Sequence, residues 1–183
     1  MPKVMQKKLI ELFLRAGVPF GVFMGLYWYF RLDASPVRIL VLALAAGILF
    51  GGFMAGILGS WHIISVKRKA SGGSEEDYNV KQSKEIEIPV SYDTAYELCI
   101  KSLEKLKKPE IVTTDYSNGI VTAKTGITWD TFGDTVSFKL TENTESTTNI
   151  VVSSEPLSYQ VVDYGKNLDN VNAVLSFLEG QKV

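Results

Sequence analysis

Two long apolar segments joined by a tight turn constrain this chain more than anything else in it. Residues 17–24 read G-V-P-F-G-V-F-M and residues 47–54 read G-I-L-F-G-G-F-M, so the template G-x-x-F-G-x-F-M occurs once in each segment. Small residues recur every fourth position, at Gly17, Gly21 and Gly25 in the first and at Gly47, Gly51, Ala55 and Gly59 in the second. That spacing puts them on one helix face, where another helix backbone can approach closely. The pattern predicts an antiparallel transmembrane hairpin whose two copies meet near mid-depth, with Phe20 and Phe50 filling the flanks. Gly52 and Gly56 are offset by one residue and form a second small face on the second helix. This face is read as a contact for a neighbouring subunit, which makes a homo-oligomer the expected assembly.

A helix needs about 20 residues to cross the hydrocarbon core, and the spans are expected at about 12–32 and 39–63. Arg15 would snorkel to one interface, with Trp28 near the end of the first span and Trp61 near the end of the second. Asp33-Ala34-Ser35-Pro36 reads as the turn, because Pro36 disfavours helix at the residue before it. Lys67-Arg68-Lys69 then form a basic collar. Six or seven basic residues lie at the outer helix ends against two at the turn, Arg31 and Arg38, so both termini are expected on the cytoplasmic side of a cell inner (plasma) membrane, in contact with membrane lipids. A run ending in Tyr-Trp-Tyr-Phe-Arg offers no small-residue cleavage site, which argues against a signal peptide.

The two parts differ in charge. Residues 1–69 hold nine basic and two acidic residues, whereas residues 70–183 hold ten lysines, no arginine and eighteen acids. An acidic domain without arginine is a poor nucleic-acid or phosphate binder, so no nucleic acid is expected as a partner. A Gly/Ser-rich linker at 70–83 separates residues 1–69 from a cytoplasmic domain at 84–183. In that domain, alternation around Ile86, Ile88 and Val90 predicts a strand. Ala95, Leu98, Cys99, Leu103 and Leu106 predict a helix over 94–107. Strands follow at 111–114, 120–124, 135–141 and 149–154, with a further short one at 159–162, before a closing helix over 167–179. Asn118-Gly119 marks a hairpin. The order β-α-β4(5)-α implies an α+β fold with helices on one face of an antiparallel sheet.

That arrangement resembles small helix-grip domains. The hairpin template, taken with D-Y-G-K-N-L-D-N-V at Asp163–Val171, is similar to small bacterial two-span membrane proteins of no assigned activity. The resemblance supplies no catalytic residues.

No P-loop, dinucleotide fingerprint, G-x-S-x-G or metal-ligand spacing is present. One cysteine, Cys99, and one histidine, His62, allow neither an intrachain disulfide nor a Cys/His metal site. Cys99 falls on an apolar helix stripe and reads as a core thiol. Asp130 and Asp134, flanking Trp129 and Phe132, read as solvated acids in a loop with buried rings. Asp163, Lys166 and Asn167 read as a helix-start device, with a polar contact to a neighbouring subunit or another protein as the sharper alternative. No enzyme, cofactor or metal is expected. The leading expectation is a non-enzymatic homo-oligomer displaying an acidic interaction domain. The alternatives are a channel with the soluble domain as sensor or vestibule, and a tethered domain binding a lipid or small apolar ligand.

Overall fold

A computed structural model describes residues 1–70, 72–128 and 131–181, which fall into two compact units, 1–68 and 69–183. In the first unit, α1 (Lys3–Arg31) and α2 (Pro36–Lys69) are joined by residues 32–35. Both helices are long and apolar enough to cross a membrane. Leu32 leaves α1 in an extended conformation, and the Ser35 hydroxyl accepts from Arg38 N at the start of α2. Pro36 occupies the first turn of α2, where its missing N–H costs nothing. α2 runs past the expected span and takes in the whole basic collar.

The glycine template does its packing within the chain. A Cβ on Gly17 would lie 2.5 Å from Gly47 O, one on Gly51 would lie 2.7 Å from Phe13 O, and one on Gly21 would lie 2.9 Å from Ala43 O. The Phe20 and Phe50 rings stack at 4.2 Å between centroids. The two copies therefore meet as an inverted pair. Gly25 faces Ala43 and Gly59 faces Leu9, while Ala55 is buried. Gly52 and Gly56 have nothing within 4 Å of an added Cβ. Arg15 pairs with Glu11 at 2.9 Å. Trp61, Lys67 and Arg68 are exposed, and Trp28 is half-buried.

The second unit begins before its first strand. A short 3-10 turn at Glu76–Tyr78 lies inside the expected linker, with Asp77 and Tyr78 buried. Gln82 locks this turn down by donating from Nε2 to the carbonyls of Glu76, Asp77 and Asn79. The expected 70–83 linker is thus folded from about Ser74, whose N–H bonds the Asp77 carboxylate at 2.8 Å.

Five strands follow: β1 (Gln82–Ile88), β2 (Glu110–Asp115), β3 (Ile120–Lys124), β4 (Asp134–Thr144) and β5 (Thr147–Pro156). They form one antiparallel sheet in the order β1-β5-β4-β3-β2. α3 (Tyr92–Ser102) connects β1 to β2, and α4 (Lys166–Glu179) follows β5. Alternation sends Val121, Ala123, Val136, Phe138, Ile150 and Val152 inward, onto Ala95 and Cys99 of α3 and Val171, Val174 and Leu178 of α4. The α+β class with helices against an antiparallel sheet stands as expected. Two details differ. α3 gives way at Leu103 to a 3-10 turn, and residues 159–162 form no strand. Leu157 N instead bonds Gly133 O at 3.0 Å, which ties the β5–α4 loop to the β3–β4 loop.

Candidate ligand site

A buried polar chain runs through one end of the second unit, below those two loops. Asp134 opens β4 and is fully buried. Its Oδ1 accepts from Thr131 Oγ1 at 2.7 Å and its Oδ2 from Asn170 Nδ2 at 3.0 Å. Asp134 N also donates to Thr125 Oγ1 at 3.0 Å, which closes the loop on itself. Asn170 Nδ2 reaches Ser154 Oγ at 3.2 Å, and Ser154 Oγ donates to Asn167 Oδ1 at 2.7 Å. Asn167 donates to Asp163 Oδ2 from its backbone at 2.9 Å and from Nδ2 at 3.0 Å. Asp163 Oδ1 takes Gly165 N at 3.1 Å.

The geometry follows from local sequence. Tyr164 and Gly165 both adopt positive φ, at 54° and 69°. This double left-handed corner folds the Asp163 carboxylate back onto the first amides of α4, where carboxylates satisfy unpaired N–H groups and complement the helix dipole. The helix-start role stands, with Asp163 as the cap and Asn167 inside the helix. Asp163 and Asn167 are both 0% exposed, whereas Lys166 is partly exposed. Lys166 makes a partly exposed pair with Asp169 at 3.7 Å, the kind of pair that contributes little.

The reading of the Asp130–Asp134 loop is reversed at its described positions. Asp134 is buried rather than solvated, and Phe132 is 71% exposed rather than buried. Trp129 and Asp130 lie outside the described residues. Around Phe132, Ile127, Leu157 and Tyr159 are also exposed. The result is an apolar rim on two loops, beside the buried polar chain. Thr131, next to Phe132, is the last member of the buried chain on that side.

One atom of this chain is unmatched. Asn170 Oδ1 is buried and has no hydrogen-bond partner. A buried acceptor left open costs about 1–3 kcal/mol. Sequence reasoning missed Asn170, Ser154 and Thr131. A signal was there: Ser154 continues the inward row of Ile150 and Val152, and Asn170 sits on α4 beside the inward Val171.

Other features carry less. Cys99 is fully buried, and burial pushes its thiol up to about 12. At the opposite end of the sheet, Tyr92 OH donates to Tyr116 O at 2.6 Å and Tyr116 OH donates to Asp93. The Asp93 hydrogen bond holds the Tyr116 phenol up at about 12. These groups satisfy one another. A groove along the hairpin, beside Val18, Val22, Leu40 and Leu44, has Tyr29 as its only polar side chain and so offers little to orient a ligand. No group of three or more His, Cys, Asp or Glu side chains placed to hold a metal occurs among the described residues.

No protein-family model and no curated protein matches the chain. Among solved structures it is similar to TTHA0849 from Thermus thermophilus, at 16% identity and a TM-score of 0.38, over 55% of this chain and 94% of that one. It is also similar to the Zhui aromatase/cyclase from a Streptomyces species, at 9% identity and a TM-score of 0.34, over 56% and 85%. The third is the di-domain ARO/CYC StfQ of the steffimycin biosynthetic pathway, at 11% identity and a TM-score of 0.28, over 81% and 62%.

These findings correct two expectations. The chain is not read further as a non-enzymatic homo-oligomer displaying an interaction domain, two of the three similar structures being described as aromatase/cyclases. The exclusion of an enzyme falls with it, since two of the three are described by that activity. Of the readings drawn from the sequence, the ligand-binding one is better supported than the main one.

Proposed function

We propose that the chain is a membrane-tethered binding protein for a small, largely apolar ligand carrying one hydrogen-bond donor. The observation that carries this reading is the unmatched Asn170 Oδ1 in the middle of an otherwise hydrogen-bonded polar chain, between Asp134 and Ser154. Small-ligand sites are mostly apolar, with a few placed polar atoms that set orientation. Here the rim of Ile127, Phe132, Leu157 and Tyr159 would meet the apolar body, and Asn170 Oδ1 would accept from the donor. The two apolar helices support anchorage in a membrane, and the basic collars support a cytoplasmic position for the sheet–helix unit. On this reading the chain groups with two-span membrane proteins that carry a helix-grip-like domain.

The test uses the full chain in lipid nanodiscs and a matched pair of probes, a long-chain alcohol and the alkane of equal length. The alcohol should raise the unfolding temperature of the sheet–helix unit and appear bound in native mass spectra, while the alkane should do so less. Equal or absent responses to the two would sink the reading.

A further inference from the structure

We infer that Asn118 is a site of spontaneous covalent modification, deamidation through a cyclic imide, and that the Asp115 carboxylate holds it in check while the β2–β3 turn stays folded. The chain has seven asparagines, and only Asn118 is followed by glycine. The reaction starts when the Gly119 nitrogen, having lost its proton to water, attacks Cγ of Asn118. A new N–C bond closes the imide ring, and the side-chain nitrogen leaves as ammonia. Water then opens the ring at either carbonyl. One opening gives aspartate, and the other gives isoaspartate, whose backbone runs through the former side chain. Water is the only other reactant. Any residue but glycine after the asparagine sets a Cβ beside the attacking nitrogen and slows the closure.

The fold requires that glycine. Gly119 sits at a φ of 64°, in the left-handed region, and a Cβ on it would lie 2.5 Å from Leu140 O. Nor does burial shield the pair, since Asn118 is exposed. Hydrogen bonds hold it instead. Asp115 Oδ1 accepts from Asn118 N at 3.0 Å, and Oδ2 accepts from Asn118 Nδ2 at 2.8 Å. One carboxylate thus fixes both the backbone and the nitrogen that would leave. Ser117 Oγ donates to the same carboxylate at 2.8 Å. Gly119 N donates to Tyr116 O at 3.1 Å, and Leu140 N donates to Gly119 O at 2.8 Å. Lys139 Nζ donates to Asn118 O at 2.5 Å. Ring closure needs Cγ to swing onto Gly119 N and that nitrogen to give up its hydrogen, so both the Asp115 and the Tyr116 bonds must break first. The bonds from Asn118 and Ser117, with Lys139 nearby, hold the Asp115 carboxyl below its usual value. It therefore stays ionised in mildly alkaline solution, where closure is fastest. Once the reaction has occurred it is self-reinforcing. The donor that Asp115 held becomes a second carboxylate facing it, and like charges so placed repel.

The full chain is kept in mildly alkaline buffer, once folded in detergent and once unfolded in urea. Peptide mapping follows residue 118, and enzymatic methyl transfer reads isoaspartate. In urea Asn118 should be the first asparagine to convert; another converting first overturns the assignment of the site. In the folded chain its conversion should be slower by about tenfold or more, because it waits for the turn to open. D115A should speed conversion of the folded chain severalfold with circular dichroism unchanged. D115N keeps one acceptor oxygen and should fall between the two. In urea all three chains should convert alike. Equal rates for the folded and unfolded wild type overturn the inference. So does a folded D115A that converts no faster than the wild type. An equal acceleration of D115A in urea also overturns it, by placing the effect in local sequence rather than in the turn. If D115A loses its circular dichroism, D115N decides on the same terms. None of these outcomes depends on the alcohol and alkane comparison, so the ligand reading is judged separately.

Discussion

The residues that matter most lie where a polar side chain interrupts an apolar period. Ser154 and Asn170 occupy inward positions of β5 and α4, and the bond that gives Asn170 its role crosses 36 residues to Asp134. An acid in a turn-rich stretch reads as solvated, because most are. Only the folded chain shows Asp134 surrounded by Thr125, Thr131 and Asn170. Replacing Asn170 by Leu removes the open acceptor but also strips a donor from Asp134 and from Ser154. The expected loss is about 1–3 kcal/mol of stability, read by thermal unfolding. The preference for the alcohol over the alkane should disappear with it. Cys99 gives a pH signature. Its thiol is raised from 9.0 to about 12 by burial, so the folded state keeps a proton that the unfolded state releases. Stability from this group is intact below about pH 9 and falls between about 9 and 12, by at most about 1.4 kcal/mol per pH unit. The measurement is denaturant unfolding against pH for the wild type and C99A. The variant should show a shallower fall above pH 9, and parallel curves would refute the assignment.

Individual elements follow their local signals closely where the signal is strong. The spacing of four small residues was enough to pair α1 with α2, and the register puts Gly17 and Gly21 against Gly47 and Gly51. A methyl group distinguishes the packed face from the open one. G17A places a Cβ 2.5 Å from Gly47 O and should cost about 1–3 kcal/mol by overpacking. G52A meets nothing within 4 Å and should change stability by less than about 1 kcal/mol. Loss of helical circular dichroism on heating in detergent separates the two. If both variants unfold like the wild type, the close helix approach is not what holds the pair. Weaker signals misled. The apolar letters of 159–162 suggested a strand, yet β5 is already paired on both sides by β1 and β4, and the segment is drawn into the loop by the Leu157–Gly133 bond. The 70–83 linker looked flexible by composition. Gln82 turns its second half into structure through three carbonyls at 2.7–3.1 Å.

At the scale of the molecule, the division at residue 68 or 69 separates an apolar, basic helix pair from an acidic sheet–helix unit with its own core. Residues 69–183 expressed alone should therefore be water-soluble and unfold in one cooperative step, checked by circular dichroism and light scattering. Aggregation or gradual melting would show that this unit depends on the hairpin. The sequence by itself determined the two units, the helix pairing, the antiparallel α+β class and most strand positions. These rest on local periodicity, on spacing and on turn residues, all of which act over a few positions. The tertiary structure alone decided that β1 closes against β5, that 159–162 joins the loops, and that Asp134, Ser154, Asn167 and Asn170 form one chain with an open acceptor. Each of these depends on groups far apart in sequence meeting at hydrogen-bond distance, and pattern in one dimension does not encode that distance.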